Sequence, residues 1–120
     1  MTTPMVGRGR FKQDLCHALR EFFAERMRGH MEMDVKIVDD LIILRCKEAL
    51  SLSEVNLSTL RAGRLLLQEV NERLCQELKP DVGRLLREIT GRRLVDICVG
   101  LFAARREKVY LFTMSDKVKQ

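Results

Sequence analysis

The sequence is poor in the residue types that most often build catalytic and base-stacking sites. Its 120 residues include no tryptophan, one tyrosine and two histidines. Sheets that bind single-stranded RNA stack bases on exposed aromatic side chains, so the scarcity of aromatics argues against that function. There is no G-x-S-x-G, H-E-x-x-H or Walker-type loop, and neither His17 nor His30 lies in a catalytic motif. We therefore expect a protein that is not an enzyme and has no catalytic residues.

The four cysteines, Cys16, Cys46, Cys75 and Cys98, never form a C-x-x-C pair. Zinc-binding domains usually draw their ligands from such closely spaced pairs. Each cysteine instead lies in an apolar pattern, where a free thiol behaves as a small hydrophobic side chain. We predict reduced core thiols, no metal site and no cofactor.

No hydrophobic run approaches the ~20 residues that a membrane-spanning helix needs. The longest candidate, residues 94–104, is too short and contains Asp96. Gly7-Arg8-Gly9-Arg10 is not followed by the apolar segment of a secretory signal. With 46% apolar and 32% charged residues, the composition is typical of a globular domain. We predict one domain with no membrane span and a cytoplasmic location.

The net charge is +5, and the excess of basic residues lies in the first and last quarters of the chain. A positive surface formed by the two ends would suit nucleic acid, an anionic lipid surface or an acidic protein. The specific candidate for a phosphate-facing patch is one end of the C-terminal β-hairpin, which residues 93–102 and 109–114 are predicted to form. That patch would consist of Arg92, Arg93, Arg105, Arg106 and Lys108.

The N-terminal third of the sequence predicts a helix followed by a β-hairpin. Residues 1–9 are expected to form a flexible tail, and residues 10–28 carry apolar side chains at helical spacing, ending at Gly29-His30. Residues 35–38 and 41–44 are β-rich, and Asp39-Asp40 between them suits a tight turn because aspartate tolerates positive φ. The apolar stripe of the helix consists of Phe11, Leu15, Ala18, Leu19, Phe22, Phe23 and Met27.

The central residues 51–91 predict three consecutive helices. Ser51 and Glu54 have the spacing of a capping box, which marks a helix start. A bend or break is expected near Gly63, because glycine costs about 1 kcal/mol against alanine inside a helix. Lys79-Pro80 predicts a second interruption, and Gly91 a left-handed C-cap.

A second hairpin is predicted from residues 93–102 and 109–114, joined by a basic connection over 103–107. The two hairpins would form a four-stranded, mostly antiparallel sheet, with three or four helices covering one face. The predicted class is α+β in the order α-β-β-α-α-α-β-β, with one domain over residues 10–115 and a C-terminal tail over 116–120. Open sheet edges make a homodimer the expected assembly.

Several local strings, in this order and spacing, resemble the MpsC-like family of small bacterial proteins. The resemblance covers about residues 11–115. It implies a soluble component associated with a sodium-translocating, membrane-potential-generating system, which is linked in some bacteria to inorganic-carbon uptake. The family has no established catalytic residues, so the resemblance implies none for this chain. The matching strings are residues 37–45, Leu50-Ser51 with Glu54, 63–65, 77–80, 85–91, 107–109 and 111–113.

Two regions of the chain depart from the family pattern. The family tends to have a Gly-Arg-Gly-Pro-like turn where this chain has Arg28-Gly29-His30-Met31. It also tends to place His and Asp in the penultimate strand, near the positions of Cys98 and Gly100. If those polar residues have a role, this chain has lost it.

Together these observations predict a non-catalytic accessory or regulatory protein that binds another protein. The resemblance points to a component of sodium-linked ion or inorganic-carbon transport, with the chain cytoplasmic and peripheral to the inner face of the membrane. The alternative is a small basic module that binds RNA or DNA. The candidate binding residues are Asp40, Arg45, Arg64, Thr90, Arg105 and Arg106.

Overall fold

The computed structural model describes residues 4–26 and 32–119. Within these residues it contains three α-helices, four strands and one 3₁₀ turn, so the predicted α+β class is confirmed. The helices are α1 (Pro4–Arg26), α2 (Leu52–Leu57) and α3 (Arg61–Thr90), and the 3₁₀ turn spans Ala103–Arg105. The strands are β1 (Glu32–Val38), β2 (Leu41–Lys47), β3 (Leu94–Phe102) and β4 (Glu107–Met114).

The four strands form one antiparallel sheet in the order β1-β2-β4-β3. Each predicted hairpin is present, and the two hairpins join through β2 and β4, where Ile43 pairs with Leu111. The strands alternate between buried and accessible side chains because successive residues point to opposite faces. A bulge between Leu94 and Asp96 interrupts the alternation at the start of β3.

The hydrophobic core lies between one face of this sheet and the helices α1 and α3. On α1, the Phe23 ring centroid is 4.9 Å from that of Tyr110 and 6.5 Å from that of Phe112, both on β4. The apolar stripe of the first helix therefore packs against its own sheet. The apolar core residues of the sheet are Met33, Val35, Ile42, Leu44, Cys46, Leu94, Ile97, Val99, Tyr110, Phe112 and Met114.

The first helix is longer than predicted. It already includes Pro4, so residues 4–9 are helical where a flexible tail was predicted. Proline is favoured in the first turn of a helix because the amide hydrogen that it lacks has no helical partner there. Residues 1–3 of the predicted tail, and the predicted helix end at residues 27–30, lie outside the described residues.

The capping box is confirmed, and the nearby chain break lies before Gly63. Ser51 accepts a hydrogen bond from the Glu54 amide at 3.1 Å, and the Glu54 carboxylate accepts one from the Ser51 amide at 2.9 Å. The chain then leaves α2 and starts α3 at Arg61, so Gly63 lies in the first turn of α3. A Cβ atom there would lie 1.9 Å from the carbonyl oxygen of Leu57. Glycine is needed for this close approach of two backbones.

The predicted interruption at Lys79-Pro80 is wrong, because Pro80 lies inside the continuous helix α3. The residues that α3 buries, which include Cys75 and Val82 on either side of the proline, continue along one face. Packing of that face against the sheet outweighs the helix-breaking tendency of proline. The observed order is therefore α-β-β-α-α-β-β, with two central helices. The predicted C-cap is confirmed, since Gly91 has φ 73° and its amide bonds to the Arg87 carbonyl at 2.9 Å.

The residues after β4 pack on the domain. Val118 is 6% exposed, and its amide donates to the carbonyl oxygen of Asp39 at 2.8 Å. Asp39, in the β1–β2 turn, has the positive φ (55°) expected there. The segment predicted as a C-terminal tail has no helix or strand over residues 116–119, and it is attached to the domain by the Val118 side chain, which joins the core. Gln120 lies outside the described residues.

Candidate functional site on the open face of the sheet

The face of the sheet opposite the core is a surface of its own, which we call the open face. In the described part of the chain, the core residues of α1 and α3 pack on the other face. Strand pairing aligns the open-face side chains in transverse rows. One row is Lys36, Ile43, Leu111 and Cys98, and the next is Asp34, Arg45, Val109 and Gly100.

The centre of the open face is apolar and its periphery is charged. Ile43, Val109 and Leu111, on the two central strands, are half-buried. Asp34 and Lys36, on the edge strand β1, are exposed. A surface with an apolar centre and a polar rim has the anatomy of a protein–protein interface.

A bidentate ion pair joins the two central strands at one end of this face. Arg45 Nε and Nη2 each lie 3.0 Å from a carboxylate oxygen of Glu107. Arg105 Nε lies 3.3 Å from the same Oε1 that Arg45 Nε contacts. The Glu107 side chain is only 7% exposed although it lies on the open face.

The ion pair stabilises the charged forms of Glu107 and Arg45. The hydrogen bonds from Arg45 are the largest cause that lowers the pKa of Glu107, and Arg105 adds to the effect. The same hydrogen bonds raise the pKa of Arg45. A carboxylate whose lone pairs are engaged by two guanidinium groups is suited to positioning those groups, because its affinity for a proton is reduced.

A hollow of about 340 Å³ lies beside the ion pair. Phe102 forms one wall, and the Arg105 guanidinium carbon lies 5.2 Å from the centre of its ring. Asp34 and Lys36 contribute the opposite, charged side. The hollow offers an aromatic surface and several fixed charges to a side chain from a partner.

Two predicted binding residues, Arg45 and Arg105, converge at Glu107. Sequence reasoning missed Glu107 itself and Phe102. Arg105 and Glu107 are two residues apart, and this spacing in the sequence could have indicated that they interact. The pairing of β2 with β4, which brings Arg45 to Glu107, could not be predicted from the sequence.

Arg64, Thr90 and Asp40 have contacts that hold the fold together. Arg64 Nη1 donates to the Ser58 carbonyl at 3.0 Å and braces the α2–α3 junction. Thr90 Oγ1 donates to the Leu86 carbonyl at 2.7 Å at the end of α3. Asp40 lies in the β1–β2 turn, where its carbonyl accepts from the Met114 amide.

Arg106 also has contacts that hold the fold together. Its Nε donates to the Leu50 carbonyl at 2.8 Å, and its own carbonyl accepts from the Ala49 amide. The hydrogen bonds that the side chains of Arg64, Thr90 and Arg106 donate therefore go to backbone carbonyls rather than to Glu107, and Asp40 lies in a turn. Their role in binding stays a prediction.

The predicted phosphate-facing patch of the last hairpin is wrong as a single surface. Arg92 and Arg93 precede β3, whereas Arg105 and Arg106 follow it. The nine-residue strand between them is roughly 30 Å long at about 3.3 Å per residue. Lys108 is buried on the core side of β4. The division of this patch weakens the case for nucleic-acid binding.

The remaining reactive residues do not converge on the open face. His17 Nε2 lies 3.2 Å from Glu21 on the exposed side of α1, and His30 lies outside the described residues. Among the four free thiols, Cys46 and Cys75 are buried as predicted, and Cys98 is exposed, contrary to the prediction of a core thiol. Burial raises the pKa of Cys46 to about 12 and that of Cys75 to about 11.

Comparison with known proteins identifies one family. A family model described as Na⁺-translocating membrane potential-generating system (MpsC) matches residues 7–116. No curated protein and no solved structure matches the chain. Across residues 4–26 and 32–119, no helix combines the length and apolar character needed to cross a bilayer.

Proposed function

We propose that this chain, which belongs to the MpsC family of the Na⁺-translocating membrane potential-generating system, is a non-catalytic accessory or regulatory protein of such a system. In this proposal it binds a protein component of the transport machinery at the inner face of the membrane. Sodium-linked movement of ions or inorganic carbon is the process that it would serve. The observation that carries the proposal is the open face, where a fixed ion pair borders an accessible apolar surface.

The open face has features that favour a protein partner over a small molecule. Ile43, Leu111 and Val109 form a shallow apolar centre spread across neighbouring strands. Arg45 is already held by Glu107, so little side-chain entropy is lost when a partner approaches. Arg105 is more exposed and keeps guanidinium donors available at the rim. A partner segment with apolar side chains and an acceptor group would match this surface.

The test is a pair of double substitutions that make the same chemical change on different surfaces. Ile43→Asp with Leu111→Asp places two carboxylates at the apolar centre of the open face, where the residues are strand partners. Leu52→Asp with Leu65→Asp makes the same change at exposed helical positions that are not part of the open face. Circular dichroism and thermal unfolding verify that both proteins fold.

We expect the open-face variant to lose the membrane protein that copurifies with the wild-type chain. In cells deleted for the gene, it should also fail to restore sodium-dependent membrane potential. The helical variant should retain both properties. A folded open-face variant that copurifies and complements like the wild type would contradict the proposal.

We further propose that a second copy of the chain pairs through α3. Leu66, Val70 and Leu74 are 52%, 45% and 44% exposed and lie on one helical stripe at intervals of four residues. The stripe is symmetric about Val70, so in an antiparallel pair Leu66 of one copy would face Leu74 of the other. Glu69 and Arg73 flank the stripe and pair with each other within one chain. The self-complementarity of the stripe is what a two-fold interface requires.

A further inference from the structure

A second concave surface lies on α3 and the start of β3, away from the open face. It is an open groove of about 410 Å³, which we call the basic groove. None of the described residues that line it carries a carboxylate. Its lining residues are the cationic Lys79, Arg84, Arg87 and Arg93 together with Gln76, Pro80, Gly83 and Leu94.

Helix geometry explains why these cations converge. Lys79, Gly83 and Arg87 follow one another at steps of four residues, and Arg84 lies four residues after Pro80, so they share one face of α3. The chain reverses at Gly91 and brings β3 back beside this face. Gly83 has no side chain, and a Cβ atom there would be 3.6 Å from the Leu94 side chain, so helix and strand approach closely.

The cations of the basic groove are largely unpaired. Within the described part of the chain, the side chains of Lys79, Arg87 and Arg93 make no hydrogen bond or ion pair. Arg84 is paired with Asp81. Converging like charges repel one another and raise the positive potential in a concave surface. Binding an anion relieves that repulsion.

We propose that the basic groove binds a phosphate-bearing anion. Arg87 and Arg93 offer planar guanidinium groups that engage phosphate oxygens in pairs, and Lys79 adds a compact charge. Pro80 and Leu94 supply apolar contact for the carbon atoms that adjoin a phosphate. The same chemistry is found in the headgroup of an anionic phospholipid and in a soluble phosphate compound. The proposal does not depend on partner binding, because the basic groove and the open face share no residue.

The test compares two triple substitutions in the full chain that remove the same charge. The groove variant is Lys79→Gln, Arg87→Gln and Arg93→Gln. The matched control is Lys12→Gln, Arg20→Gln and Arg61→Gln, which are exposed cations that do not line the basic groove. Binding is measured to phosphatidylglycerol-containing vesicles against phosphatidylcholine vesicles, and to pyrophosphate by calorimetry.

We expect the groove variant to lose at least about tenfold in affinity, since each basic residue near an anionic surface contributes roughly a factor of five. In the control variant, the decrease in the logarithm of the affinity should be less than half of the decrease in the groove variant. Binding to vesicles alone would identify a lipid headgroup, and binding to pyrophosphate a soluble ligand; either outcome supports the proposal. In the wild-type protein, the bound anion should shift the amide resonances of Gly83 and Leu94.

Three outcomes would overturn the proposal. The first is an equal loss in the two triple variants, which would show that only net charge matters. The second is no binding of the wild type to either anion at low salt. The third is binding to RNA alone, because a groove for one phosphate group should also accept the smaller anions.

Discussion

Arg45 on β2 and Glu107 at the start of β4 form a bidentate ion pair across two neighbouring strands, with both nitrogen–oxygen distances at 3.0 Å. The two residues are separated by 62 positions in the sequence. Their contact exists because the second hairpin pairs with the first through its last strand. The pair thus joins the two hairpins and at the same time orients a guanidinium group on the open face.

Glu107→Gln should make the protein less sensitive to acid. The pKa of Glu107 is lower in the folded protein than its ordinary value of 4.5, chiefly through the hydrogen bonds from Arg45. The stability that it contributes is therefore complete above pH 4.5 and is lost as the pH falls through the folded-state pKa. Urea unfolding at pH 7 and pH 3 should show a smaller difference for Glu107→Gln than for the wild type. Glu88→Gln, at an exposed position, is the control and should behave as the wild type.

The four thiols should react with a maleimide at very different rates. Cys98 is exposed and should be labelled first at pH 8. Cys46 and Cys75 are buried, and burial raises their pKa values to about 12 and about 11, so they carry little thiolate in the folded state. Mass spectrometry of the native protein should show them labelled only after unfolding. Rapid labelling of Cys75 in the presence of Cys98→Ser would contradict the described packing.

Alanine substitutions at two glycines of α3 should have opposite effects. At Gly63 a methyl group would overlap the Leu57 carbonyl, and we expect a loss of about 2 kcal/mol in the free energy of unfolding. At Gly83 the nearest atom would be an ordinary 3.6 Å away, and we expect a gain of about 0.5–1 kcal/mol from helix propensity. Urea denaturation measures both. A stabilising Gly63→Ala would show that the α2–α3 junction is looser than described.

Val70→Glu should abolish self-association through α3. In the proposed antiparallel pair, Val70 of each copy meets Val70 of the other, so the substitution places two carboxylates together at the centre of the interface. Sedimentation velocity should show a dimer for the wild type and a monomer for Val70→Glu. Leu65→Glu, on the neighbouring exposed side of α3, should remain a dimer. A wild-type monomer at about 100 μM would contradict the pairing, because a stable interface of standard size binds more tightly than that.

The features that were predicted correctly from the sequence depend on contacts between close neighbours in the chain. The capping box of Ser51 and Glu54 needs residues three apart, and the C-cap at Gly91 needs one residue that tolerates positive φ. The turn at Asp39 is of the same kind. The alternation of apolar residues likewise identified the strands, because the side-chain period of a strand is a local property.

The features that were predicted wrongly were those in which distant packing competes with a local preference. Proline disfavours a helix interior, yet Pro80 remains in α3 because the buried face on both sides of it is held by the sheet. The break predicted near Gly63 is present at residues 58–60, but its cause, the close approach of the Leu57 carbonyl to Gly63, was not visible in the sequence. Local rules identified both residues as unusual, and only the packing around them decided what they do.

The sequence by itself determined the α+β class, the two hairpins and the apolar face of the first helix, since each follows from a local period or a local cap. The tertiary structure alone decided which charges meet. The strand order placed Arg45 beside Glu107, separated Arg93 from Arg105 by the length of β3, and brought Arg93 beside Arg87 on α3. Charge interactions depend on distance in space, and the sequence does not contain that distance until the strands are paired.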